Sequence, residues 1–244
     1  SRLIREGYRR APDAAFIIHA GDLVDDAHSE QQWQEWFTAG GFIHRMLPSI
    51  PVAGNHEYEP YTAEEEAQDV EHLSIQWRPQ FTLPGNGIDA LPETNYVVDY
   101  QGVRIVVLNT NELWEDQAEW LRGVLRNNPN RWTIATFHHP LFSASSGRNN
   151  EALRALWKPV FDEYGVDLAL QGHDHAYARG RAAPRGENLL TGVNTRDGTG
   201  TVYVVSVSGG KMYGLRPEAW EGWPAKRDRA AENTQLFQRI RVDG

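Results

Sequence analysis

The stretch Ala14-Ala15-Phe16-Ile17-Ile18-His19-Ala20-Gly21-Asp22-Leu23-Val24-Asp25-Asp26 decides the fold class. Residues 14–20 are apolar apart from His19, which suits a strand covered on both faces. The run breaks at a Gly-Asp turn. A helix follows, with Ser29 as its cap and Gln32 three residues on as the reciprocal partner of a capping box. Trp33, Trp36, Phe37, Ile43 and Leu47 keep near-helical spacing across Gly40-Gly41, a pair that breaks or kinks the helix. A buried strand feeding a helix predicts α/β or α+β layering rather than an all-α or all-β chain.

The same alternation continues outward. Residues 50–53 read as a second short strand, and 96–100 with 103–108 as a hairpin turning at Gln101-Gly102. A helix around 118–125 is ended by Asn127-Asn128-Pro129, and a strand follows at 132–137. Leu153, Leu156, Trp157, Val160, Phe161 and Tyr164 mark a helix that Gly165 terminates. Strands are expected at 166–170, 201–207 and 236–242. Residues 60–93 are polar and rich in turn signals, an insertion with one helix near 63–73. No repeat or linker interrupts the pattern, so 1–244 reads as one domain.

Composition narrows the chemistry. The 244 residues hold 24 Lys+Arg against 33 Asp+Glu, a net charge of −9, which argues against binding a nucleic-acid backbone. No Cys is present, so disulfides and thiolate metal sites are excluded. The longest apolar runs fall far short of the ~20 residues that span a bilayer. The sequence opens without Met or an apolar leader and closes on a strand-like run, as expected of a segment of a longer protein that starts inside a helix.

The polar residues of interest follow strand ends, where α/β folds place their sites. The strand at 14–20 runs into Gly21-Asp22, that at 50–53 into Gly54-Asn55-His56-Glu57, that at 132–137 into His138-His139-Pro140, and that at 166–170 into Gly172-His173-Asp174-His175. Imidazole, carboxylate and carboxamide without sulfur suit zinc, manganese or iron. Singly each motif is weak, because an Asp after a strand glycine is usually a turn residue. Together and in this order they are specific.

The series GD, GNHE, HHP and GHDH resembles the calcineurin-type metallophosphoesterases, and GHDHAYAR at 172–179 with YVVSVSGGKMY at 203–213 is similar to their purple acid phosphatase-like branch, bacterial members included. The resemblance spans residues 14 to 242. It implies a four-layer αββα sandwich, two mixed sheets flanked by helices, and a metal-dependent phosphoric ester hydrolase. Two divalent or trivalent ions (iron, zinc or manganese) would carry a bridging hydroxide, with Asp22 between them. Asn55, His138 and His173 would hold the second ion and His175 the first, while His56 would face the leaving-group oxygen. A small phosphomonoester is the substrate implied; a nucleotide phosphodiester, or a metal-binding segment without turnover, are the alternatives. Branch members often carry an N-terminal β-sandwich domain and are frequently exported.

Two departures stand out. The family's Asp ligand for the first ion lies on a strand ahead of the first helix, outside this sequence, so the 244 residues alone are expected to bind the first ion poorly; two tightly bound ions per chain would refute that. Where the purple enzymes carry a tyrosinate three residues after the bridging Asp, this sequence has Asp25. Asp25 is expected to pair with His56 and orient it, and an intense visible band from the metal-loaded protein would contradict this. Of the remaining candidates, His139 is expected on the face opposite His138, with a lesser chance of touching substrate. Tyr58, Tyr61 and Tyr177 wall the cleft or pack. Arg148 and Arg179 bind phosphate or form surface ion pairs. His19 reads as a core residue, and His28, His44 and His72 as surface ones. Glu57 and Asp174 are expected to turn away from the ions and hydrogen-bond behind the ligands.

Overall fold

Strand alternation builds the core from two faces. In the run Val103-Arg104-Ile105-Val106-Val107-Leu108, Val103, Ile105 and Val107 point one way and Val106 and Leu108 the other, and all five are buried. The computed structural model describes residues 2–182, 200–223 and 225–243. In chain order its elements are α1 (Arg2–Arg10), β1 (Ile17–His19), α2 (Glu30–Gly40), α3 (Phe42–Met46) and β2 (Ser49–Pro51). The insertion supplies β3 (Tyr58–Glu59), α4 (Ala63–Ala67), β4 (His72–Leu73) and α5 (Trp77–Gln80). Then come β5 (Tyr96–Tyr100), β6 (Val103–Val107), α6 (Trp114–Arg126), β7 (Trp132–Phe137), α7 (Glu151–Tyr164) and β8 (Leu168–Gln171). The last are β9 (Tyr177–Ala182), β10 (Val202–Val205) and β11 (Ala225–Ala231).

Among the described residues a seven-stranded mixed sheet has the order β11-β9-β10-β8-β7-β6-β5. Its centre, β6-β7-β8-β10, is parallel, with β5 and β9 antiparallel to their neighbours. One face, with Val106, Ala135, Ala169, Tyr203 and Val205, packs on Leu121 and Leu125 of α6 and Trp157, Val160 and Phe161 of α7. Phe161 is fully buried, and its truncation to Ala should cost about 3–5 kcal/mol. The other face, with Ile105, Val107, Ile134, Leu170 and Val204, packs on Ile18, Ile50 and Val52 around the parallel pair β1-β2. Beyond that pair, Trp36 of α2 covers His19 at 5.1 Å between ring centroids. The layering is thus helix, sheet, sheet, helix, and the parallel strands aim their C-terminal ends at one edge.

Several local expectations are corrected. Ser29 caps α2 by accepting the Gln32 N–H, but the Gln32 side chain accepts from Asp25 N (2.8 Å) and Asp26 N (3.0 Å) instead of completing a capping box. The helix of the insertion stops at Ala67, because Asp69 turns left-handed (φ 57°) and His72–Leu73 pairs with Tyr58–Glu59. Residues 236–242 form no strand; Leu236 N donates to Val207 O (2.8 Å), but the run beyond is mostly exposed. The sheet's edge is instead β11, Ala-Lys-Arg-Asp-Arg-Ala-Ala, whose charges suit a solvent-facing edge and hide it from a hydrophobic reading. His19 is half-buried rather than part of the core, and its ring is pulled down to about 3 by burial with the neighbouring His44 adding to the effect. His44 is not a plain surface residue: it stacks on Trp36 with centroids 4.4 Å apart.

Candidate metal centre

Three loops meet because their glycines let them. Gly21 (φ 90°) follows β1, and a side chain there would overlap the His138 ring and the Gly54 backbone. A side chain on Gly54, after β2, would in turn strike the Asp22 carboxylate. Asp22 and His173 are themselves left-handed, at φ 52° and 62°, a backbone state that costs on the order of 1–3 kcal/mol and persists only where neighbours enforce it.

Four side chains converge at this edge. His138, buried after β7, places Nδ1 2.8 Å from Ala20 O. A carbonyl only accepts, so Nδ1 carries the proton and Nε2 presents a lone pair. That lone pair faces Asp22 Oδ1 at 3.1 Å, Asn55 Oδ1 at 3.1 Å and His173 Nδ1 at 3.2 Å; His173 Nδ1 also lies 2.9 Å from Asn55 Oδ1. Electron-rich atoms crowded together in this way call for a cation. Ligands held ~2.1 Å from an ion at angles between square and tetrahedral stand roughly 3.0–3.4 Å apart, which matches these spacings. The donor set therefore fits a metal. Without an ion, a proton on His138 Nε2 takes the cation's place: although burial works against its charge, the hydrogen bond and charge of His138 hold Asp22 down to about 2. Burial likewise opposes a charged His138, yet Asp22 outweighs it and raises its pKa. His173, with no acid partner of its own, is pulled down to about 2 by burial and by its imidazole neighbours.

Not every candidate stands where the sequence suggested. His139 does not turn away: its ring lies 4.3 Å from that of His173 and 5.0 Å from that of His138. Alternation fails there because Phe137 ends β7. Thr110 Oγ1 accepts the His139 N–H at 3.1 Å and sits 2.8 Å from its Nδ1. Together His138, His139 and His173 offer ring nitrogens within 4.8 Å of one another. His175 stacks on Tyr213 at 4.7 Å and 17°, and its Nδ1 is buried without a hydrogen-bond partner. Burial, then the charges of Arg148 and Lys211, lower its basicity. Arg148 donates to Tyr213 OH (3.0 Å) and to His173 O (3.3 Å), and touches His173 Nε2. Tyr177 packs with the core between the sheets, and Arg179 is exposed within β9; among the described residues neither touches the converging quartet.

His56 N donates to Asp22 Oδ1 at 3.2 Å. The expected Asp25–His56 pairing is present, with the closer contact made by the main chain of Asp25. His56 Nδ1 donates to the backbone O of Asp25 at 2.8 Å, whereas the carboxylate stands 3.7 Å away and is 90% exposed. The loop's main chain, pinned by Gln32, orients the ring, so the carboxylate is free to stay in water. Glu57 and Asp174 do turn away. Asp174 accepts the N–H groups of Ala144 and Ser145 (the latter at 3.1 Å), anchoring the loop that carries Arg148. Glu57 is wholly buried; desolvation and the Asp22 charge push it up to about 7 against the pull of backbone N–H donors. Sequence reading passed over Asn109, Thr110 and Asn111. The signal was present, since Asn-Thr-Asn follows the end of the parallel strand β6 as the other motifs follow theirs. Asn111 Nδ2 donates to Gly54 O at 3.2 Å.

A layered fold with carboxylate, carboxamide and imidazoles at the ends of parallel strands is the frame of a metallophosphoesterase. The chain belongs to the calcineurin-like phosphoesterase family, whose model matches residues 1–177. It is 27% identical over 227 residues to purple acid phosphatase 1 of Ipomoea batatas, covering 86% of this chain and 46% of that one. It is 25% identical over 224 residues to the Fe(3+)-Zn(2+) purple acid phosphatase 12 of Arabidopsis thaliana, covering 85% and 47%. The fold is shared with a purple acid phosphatase from yellow lupin (Lupinus luteus) seeds, with a TM-score of 0.68 at 20% identity over 92% of this chain and 42% of that structure. The chain thus spans less than half the length of these relatives. No helix among the described residues is long and apolar enough to cross a membrane.

Proposed function

We propose that the 244 residues belong to one catalytic domain of a metal-dependent phosphomonoesterase that works with a dinuclear centre. The observation that carries the reading is the quartet Asp22 Oδ1, Asn55 Oδ1, His138 Nε2 and His173 Nδ1, spaced 2.9–3.2 Å along its contacts. Asn55, His138 and His173 would hold one ion, His175 would contribute to the other, and Asp22 would serve both. The relatives' names, purple acid phosphatase and its Fe(3+)-Zn(2+) form, favour monoesters and an iron–zinc pair. A single sheet drawing strands from Tyr96 to Ala231 supports one domain.

Two bound ions supply Lewis acidity for the phosphoryl oxygens and bring the pKa of water towards neutrality. The protein's own groups do the rest. Asp25 O fixes the Nδ1 proton of His56, so that Nε2 of the imidazolium is the atom that passes a proton to the leaving alkoxide. Such transfer is worth typically ~10²–10⁴-fold. Arg148, steadied by Tyr213, offers donors to phosphoryl oxygens that arrive beside His173. Metal analysis combined with turnover of p-nitrophenyl phosphate and bis(p-nitrophenyl) phosphate tests the reading. Bound metal and faster hydrolysis of the monoester are expected. Faster hydrolysis of the diester would overturn the monoesterase assignment, and a chain that binds no metal would overturn the site.

A further inference from the structure

One buried carboxylate ties the Asp22 loop to the Asn55 loop. Glu57 Oε2 accepts from Gly54 N (2.7 Å) and Asp22 N (2.9 Å), and Oε1 from Leu23 N (2.7 Å) and Val24 N (3.4 Å). The first of these donors belongs to the loop after β2 and the other three to the loop after β1. Three successive N–H groups turn inward at 22–24 because Asp22 is left-handed, forming a concave anion site of the nest type. The two side-chain oxygens of Glu57 thus share four main-chain donors drawn from two loops.

We infer that Glu57 is a positioning residue. It sets the relative placement of the Asp22 and Asn55 side-chain oxygens, and through them metal affinity and kcat. The inference rests on the metal site proposed above. Asn111 tethers the same loop from its carbonyl side, through Gly54 O, so the two contacts grip opposite edges of one turn. Glu57 is fully buried, and among the described residues its hydrogen bonds all go to the main chain.

Glu57→Gln keeps shape but points an amide N–H₂ at backbone N–H donors. In the full chain, competition with a chromogenic chelator for Zn(II) should show affinity weakened 10–100-fold, as for other groups that support metal ligands. kcat for p-nitrophenyl phosphate should fall with it while KM stays within about twofold, because no substrate contact is lost. Metal affinity unchanged within twofold, whatever happens to the urea midpoint of the metal-free protein, would reduce Glu57 to a purely structural role and overturn the inference. Should Glu57→Gln fail to fold, Glu57→Asp is read by the same affinity measurement: it keeps the charge and shortens the reach, and weakening of at least threefold is expected. His138→Ala separates the two readings. If it binds Zn(II) as tightly as the wild type, the site itself is misassigned; if it loses the ion while both Glu57 variants keep theirs, only the inference about Glu57 fails.

Discussion

The two halves of the site are built on opposite principles. Around His138, lone pairs and a carboxylate face one another at 2.9–3.2 Å, an arrangement complete in itself except for a cation. Around His175, the neighbours are Tyr213, Arg148 and Lys211, an aromatic ring with two cations beside it. An imidazole next to a carboxylate has its charged form favoured, as the raised pKa of His138 shows, and one beside guanidinium and ammonium has it disfavoured, as at His175. One half is shaped for a cation; the other sets the positive charge of Arg148 and Lys211, which a phosphoester meets, beside the neutral imidazole proposed as a ligand of the second ion. A phosphoester hydrolase needs both within a few ångströms.

The largest test of this contrast is to break the cation half. Asp22→Asn should remove metal and activity together, with affinity down at least ~100-fold since a ligand outranks its support; chelator titration checks it, and retention of two ions would refute the bridging role. Next in size is His56→Ala, expected to lower kcat by ~10²–10⁴-fold. Its metal content, read by elemental analysis, should stay at the wild-type level; lost metal would make His56 a ligand. On the anion half, Arg148→Ala should raise KM about tenfold, the worth of one charge-assisted hydrogen bond, without loss of metal. An unchanged KM would return Arg148 to a purely structural role.

His19 supplies a control outside the converging side chains, a half-buried imidazole whose Nε2 is shut from solvent without a partner. Its folded pKa of about 3 lies below the ordinary 6.5. The unfolded chain therefore binds the extra proton between these values, so the contribution is fully present above pH 6.5 and is lost as pH falls towards 3. Replacing it by Leu should flatten the acid limb of urea stability by about 1 kcal/mol or more in that window; an identical slope would contradict its burial as a neutral ring. Smallest of all, Arg179→Ala, exposed on β9, should leave kcat/KM within about twofold.

Much of this was legible beforehand. The four strand-end motifs show fixed spacing, and the structure gathers Asp22, Asn55, His138 and His173 from them, although of residues 14–20 only Ile17–His19 form a strand, half-buried rather than covered on both faces. The C-terminal edge was not legible. β11 carries no hydrophobic alternation, because an edge strand is held by its partner's backbone, whereas residues 236–242 alternate plausibly but find no strand to join. The insertion failed for the same reason: α4 is cut short by a pairing with β3 that no local signal announces.

By itself, then, the sequence determined the order of elements, the exclusion of sulfur ligands and the set of residues that bring oxygen and imidazole to one sheet edge. Those follow from residue type and near neighbours along the chain. Only the tertiary structure decided that His139 joins the imidazole cluster, that a backbone carbonyl of Asp25 rather than its carboxylate orients His56, and that Glu57 binds two loops at once. Each depends on hydrogen bonds across 29 to 35 residues, and a side chain's direction past the end of a strand is set by the partner it finds, not by the periodicity that brought it there.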